Sequence, residues 1–83
     1  MLTDKIYMYI QEKFTKVKEY NTPTTKREVW RSEQEIAFAD FVGGRLVAVI
    51  LIKDPRYAKM ILSLTEYLSG MQEMTNELLK EIY

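Results

Sequence analysis

The stretch Glu35 to Lys53, EIAFADFVGGRLVAVILIK, leaves this chain few folds to choose from. Two adjacent glycines, Gly43 and Gly44, separate two apolar runs, and a tight two-residue turn needs positive φ, which glycine adopts without a Cβ clash. The stretch is therefore expected to be a hairpin. Its second strand, Leu46 to Ile52, is an unbroken apolar run rich in β-branched residues, so both of its faces should be covered. In the first strand Ile36, Phe38 and Val42 share a face with Asp40, while Ala37, Ala39 and Phe41 point the other way. That strand is expected to be the less buried, with Asp40 out of place on it. A helical alternative also exists. Ser32-Glu33-Gln34-Glu35 has the form of a capping box that would start a helix through Phe41, and the glycine pair would end it, giving an all-α chain.

Upstream, Ile6, Ile10, Phe14 and Val17 recur at steps of four, four and three, one stripe of an amphipathic helix from Thr3 to about Tyr20. Thr3 suits its N-cap and Asp4 its first turn. Tyr7, Tyr9 and Tyr20 flank the stripe. Asn21-Thr22-Pro23-Thr24-Thr25 breaks it, because the residue before a proline is pushed out of the α region. Lys26 to Arg31 then reads as a short edge strand with Val29 inward, or else as the first turns of a helix. With the strand, the hairpin grows into a three-stranded antiparallel meander.

Downstream, Asp54-Pro55 is a stop followed by a start, aspartate capping a new helix and proline taking its first position. Tyr57, Met60, Ile61, Leu64, Leu68, Met71, Met74, Leu78 and Ile82 keep helical spacing to residue 83, with a bend or break expected at Ser69-Gly70. Glu66, Glu73, Glu77 and Glu81 read as its solvated face. A continuous helix over 55–83 would be about 43 Å long, too long for a domain of this size to cover. Met71, Met74, Leu78 and Ile82 are therefore expected to pack against a second copy, making a homodimer. The fold class that follows is α+β in one domain, residues 1–83: an N-terminal helix, two or three antiparallel strands, and a long C-terminal helix.

Composition narrows the chemistry. The chain has no cysteine and no histidine, which removes disulfides, thiolate nucleophiles, the usual acid–base group and the commonest zinc ligand. No apolar run approaches the roughly 18 uncharged residues of a membrane span, and the first residues lack a cleavable signal pattern, so a cytoplasmic protein is expected. Formal charge is zero, yet residues 1–32 carry seven Lys/Arg against four Asp/Glu and residues 33–83 carry five against eight. Such asymmetry can steer an acidic partner or draw two copies together. No glycine loop fits a phosphate, and no cluster has metal-ligand spacing. Neither a cofactor, a metal nor a small-molecule substrate is expected.

One resemblance concerns the hairpin itself. Asp40 followed by the glycine turn and by a strand ending in Lys53 resembles the metal-binding hairpin of the PD-(D/E)XK nucleases. That resemblance implies a metal-holding aspartate at Asp40, a second acid two residues before Lys53, and a lysine at Lys53 that assists hydrolysis. The place of the second acid is Leu51, and no proline precedes Asp40. A hard cation would lose a main ligand, so the resemblance implies a degenerate, inactive relative.

Two further readings concern binding. Lys13, Lys16, Lys18, Lys26, Arg27 and Arg31, with Trp30 among them, combine phosphate-neutralising charge with a stacking aromatic and suit a nucleic-acid-binding regulator. The leading expectation is a non-catalytic, homodimeric module that binds a protein partner, of the kind common among small regulators encoded by mobile elements. An exposed apolar patch of several hundred Å² would be its mark.

Overall fold

A computed structural model describes residues 2–69, with side chains through residue 66. The order is α1 (Leu2–Lys13), β1 (Thr15–Asn21), β2 (Thr25–Arg31), β3 (Ile36–Val42), β4 (Arg45–Ile52) and α2 (Pro55–Ser69). The four strands form one antiparallel meander in the order β1-β2-β3-β4. The α+β class holds and the all-α alternative does not. Met71, Met74, Leu78 and Ile82, and the long helix expected to carry them, lie outside the described residues.

Alternation along β3 divides the molecule into two cores. Ile36 and Phe38 pack with Val29, Tyr20 and Ile52 beneath Ala58 and Leu62 of α2. Ala37, on the opposite face, packs with Ile10 of α1, Phe14, Trp30 and Val49. The two helices thus cover opposite faces of a single sheet. Residues two apart in a strand share a face, which is why one seven-residue strand serves both layers.

The turns have local causes. Gly43 and Gly44 sit at φ +58° and +79°, the geometry of a two-residue hairpin turn whose twist suits the flanking strands. Nothing lies within 4 Å of a Cβ built on either glycine. A substitution there should therefore meet backbone strain alone. Gly44→Val is expected to cost about 1–2 kcal/mol, with Gly44→Asn cheaper, as read by urea unfolding. In the loop after β1, the Thr25 amide donates to Thr22 Oγ1 at 3.0 Å. Asp54 caps α2: Arg56 N donates to its Oδ1 at 2.9 Å, and the Tyr57 and Ala58 amides reach its carbonyl.

Three expectations need correction. The first helix stops at Lys13, and Thr15–Asn21 is a strand, so the sheet has four strands where two or three were expected. The step from Phe14 to Val17 to Tyr20 has helical spacing by coincidence: Phe14 belongs to the α1 core, while Val17 and Tyr20 belong to the α2 core on the other face. A bulge between Lys16 and Lys18 hides the period of two.

Second, the helical alternative for Ser32 to Glu35 does not hold: the segment is a turn, as the strand reading requires. The Glu35 amide donates to Ser32 Oγ at 3.1 Å, the same bond a capping box uses, here closing the link from β2 to β3.

Third, burial in the hairpin is reversed. β3 is an inner strand, buried from Ile36 through Ala39, whereas β4 is an edge strand with Val47 55% and Leu51 43% exposed. An apolar run alone does not separate a central strand from an edge.

Candidate functional site

Each face of the sheet carries one polar cluster. On the α1 face the centre is Glu28, 4% exposed. Tyr7 Oη donates to Glu28 Oε1 at 2.6 Å and Trp30 Nε1 donates to the same oxygen at 3.1 Å. Lys16 and Lys26 stand 3.2 and 3.4 Å from Oε2. One carboxylate therefore joins α1, β1 and β2. Tyr7 also meets Trp30 and Phe41 edge-on, and Lys26 lies 4.3 Å from the centre of the Phe41 ring. Burial alone would push the Glu28 carboxyl up. The bonds from Tyr7, Trp30 and Lys16, with the charge of Lys16, more than reverse this and hold it below the usual carboxylate range. Burial, reinforced by the bond to Glu28, pushes the Tyr7 hydroxyl well above its ordinary value.

On the α2 face Arg27 grips Asp40 with two parallel bonds, Nε to Oδ1 at 2.6 Å and Nη2 to Oδ2 at 2.8 Å. Its Nη1 donates to Thr65 Oγ1 of α2 at 2.8 Å, and Thr65 in turn donates to the Ile61 carbonyl. Beside this pair Tyr20 Oη donates to Glu66 Oε1 at 2.6 Å. Burial first, and then the bond to Glu66, push the Tyr20 hydroxyl up strongly. Glu66 is fully buried, not on the solvated face where its spacing put it. A strand tyrosine that reaches α2 draws that carboxylate inward.

Arg27, Asp40 and Tyr20 also line a groove of about 440 Å³, with Val42, Val47 and Leu64 among its other walls. The groove lies where α2 leaves the hairpin end of the sheet uncovered. Its charged groups are engaged with one another, and its open rim is apolar: Val42, Val47 and Leu64 are each about half exposed.

The basic residues singled out from the sequence do not gather on one surface. Lys16 and Lys26 converge on Glu28 on the α1 face, while Arg27 is held by Asp40 on the α2 face. Lys18 lies 5.8 Å from the Tyr20 ring, also towards α2. Lys13 ends α1, Arg31 ends β2, and Trp30 is half-buried under Tyr7. The hairpin likewise keeps Asp40 and Lys53 apart. Asp40 pairs with Ala48, so Lys53 lies five residues further on, about 16 Å along the strand, and Leu51 pairs with Ala37. Among the described residues no group of three His, Cys, Asp or Glu is placed to hold a metal ion.

What sequence reasoning missed is Glu28, Tyr7 and Glu66 as organising polar groups. Once β2 is known to be a strand, the period of two places Lys26, Glu28 and Trp30 on one face, which is the signal that was there to find.

Outside these clusters, large apolar side chains stand open. Tyr57, Met60 and Leu64 on α2 are 58%, 59% and 58% exposed, and Leu2, Met8 and Tyr9 on α1 are open as well. No helix among the described residues is long and apolar enough to cross a membrane. No protein-family model, no curated protein and no solved structure matches this chain.

Proposed function

We propose that this chain is a non-catalytic interaction module that works as a homodimer and presents apolar surface to a protein partner. The observation that supports this reading is the division of polar and apolar groups. The buried charges are turned inward and engaged with one another, while half-exposed apolar side chains occupy the outer face of α2 and the β4 edge. Exposed apolar side chains gathered into a patch mark interaction surfaces. The outer face of α1, with Leu2, Met8 and Tyr9, offers a second apolar area for a different protein. The nucleic-acid reading is less well supported, because phosphate binding needs uncommitted cations on one surface and Lys16, Lys26 and Arg27 are divided between two faces on internal carboxylates.

Sedimentation at tens of micromolar is expected to give a dimer. Affinity capture from the native cell is expected to recover the same protein partner with and without nuclease treatment. A monomer throughout that range, or capture lost on nuclease treatment, would overturn the reading.

A further inference from the structure

The two edges of the sheet are built differently. β1 carries Lys16, Lys18 and Glu19 and is kinked by its bulge, the devices that keep a sheet edge from pairing with another chain. β4 also carries a bulge, at Val47, but no charge between Leu46 and Ile52: seven consecutive uncharged residues, with no strand on the outer side among the described residues. Both bulges lie in the pairing with the neighbouring inner strand, so what separates the two edges is charge.

Part of the exposed stripe of α2 lies towards this same edge. Each helical residue turns the side chain by about 100°. Ala58 and Leu62 point into the sheet, and Glu66, on one flank, reaches Tyr20 of β1. Tyr57 and Leu64 therefore lie on the side away from Glu66, Leu64 bordering the groove together with Val47 of β4, while Met60 points almost straight away from the sheet.

We propose that β4 and this flank of α2 are the dimer seam, a second copy laying its own β4 antiparallel alongside, about a two-fold axis normal to the sheet. The proposal rests on the homodimer reading above and says where the copies meet. Its occupant follows from the geometry. A two-fold normal to the sheet extends it to eight strands and sets both α2 helices on one side of the junction, their open stripes facing each other, so one operation covers both exposed features. A foreign strand would cover the edge and leave the stripe open.

Area favours the same partner. An eight-residue strand is about 26 Å long, and pairing backbones along it buries little by itself. A stable dimer buries about 800 Å² per subunit, so the exposed side chains of Tyr57 and Leu64 must join the strand in the contact. A register centred on Ala48 sets Leu46–Ile50 against one another, one centred on Ile50 does the same for Ala48–Ile52, and both keep Arg45 from facing the partner's Lys53.

The test compares wild type with the double variant Val47→Lys, Leu51→Lys, both sites being exposed enough to tolerate the change, and with Lys18→Glu on the other edge. Sedimentation should show the dimer dissociation constant raised at least 100-fold in the double variant and unchanged in Lys18→Glu, circular dichroism being the same in all three. Hydrogen exchange of wild type should show the amides of residues 45–52 slowing between 1 and 100 µM protein while those of 15–21 do not, a readout that needs no variant to fold. A folded double variant that still dimerises, or β4 exchange indifferent to concentration in a dimeric protein, would overturn the seam and leave the dimer standing. A monomeric wild type would overturn both.

Discussion

Replacing Glu28 by alanine should lower stability by about 3 kcal/mol, a fall of about 12–24 °C in melting temperature for a domain of this length. The loss comes mainly from Tyr7 Oη and Trp30 Nε1, which would be left beneath α1 without their acceptor. Lys16 and Lys26, each more than a third exposed, contribute little because water screens and re-solvates them. The effect should depend on pH. Because the folded protein holds the Glu28 carboxyl below its ordinary value, the carboxylate's contribution is fully present above the unfolded carboxylate range and is lost as pH falls through the folded value. The stability difference between wild type and Glu28→Gln should therefore be widest near neutrality and shrink below about pH 4, where the unfolded glutamate has begun to take up its proton. Urea titrations of both proteins between pH 3 and 7 measure it, and a difference that does not change with pH would contradict the assignment.

Truncation of Phe38 to alanine should be costlier still, about 3–5 kcal/mol. The ring is fully buried at the centre of the α2 core and lies 5.4 Å from the Arg27 guanidinium. Because β3 is flanked by strands on both sides and by a helix on each face, neighbouring side chains have little freedom to close the cavity. Phe38→Leu should cost less, on the order of 1.5 kcal/mol. Guanidinium unfolding of the two variants gives the values, and a Phe38→Ala loss below about 1 kcal/mol would show that α2 does not cover this face as described.

Features encoded by neighbouring residues were legible in the sequence, and features that depend on register were not. Gly43-Gly44 and Asp54-Pro55 declare a turn and a helix start whatever surrounds them, and both formed as read. The first strand was hidden because a chain that turns a corner after Phe14 and then bulges at Val17 puts apolar residues three apart, which imitates a helix. Asp40 stood out on its apolar face, yet its partner Arg27 is thirteen residues away and becomes a neighbour only when β2 pairs with β3. Glu66 misled for the opposite reason. Its position on the helix was read correctly, but the side of α2 that meets the sheet is fixed by Ala58, Leu62 and the hydroxyl of Tyr20, and no local pattern announces that choice.

The charged, kinked border along β1 has a consequence for how far any association runs. If copies join through their opposite borders, each pair ends on both sides in lysine and glutamate, so nothing remains for a third copy to extend. The same few residues that make β1 a poor template thus separate a closed pair from a growing filament.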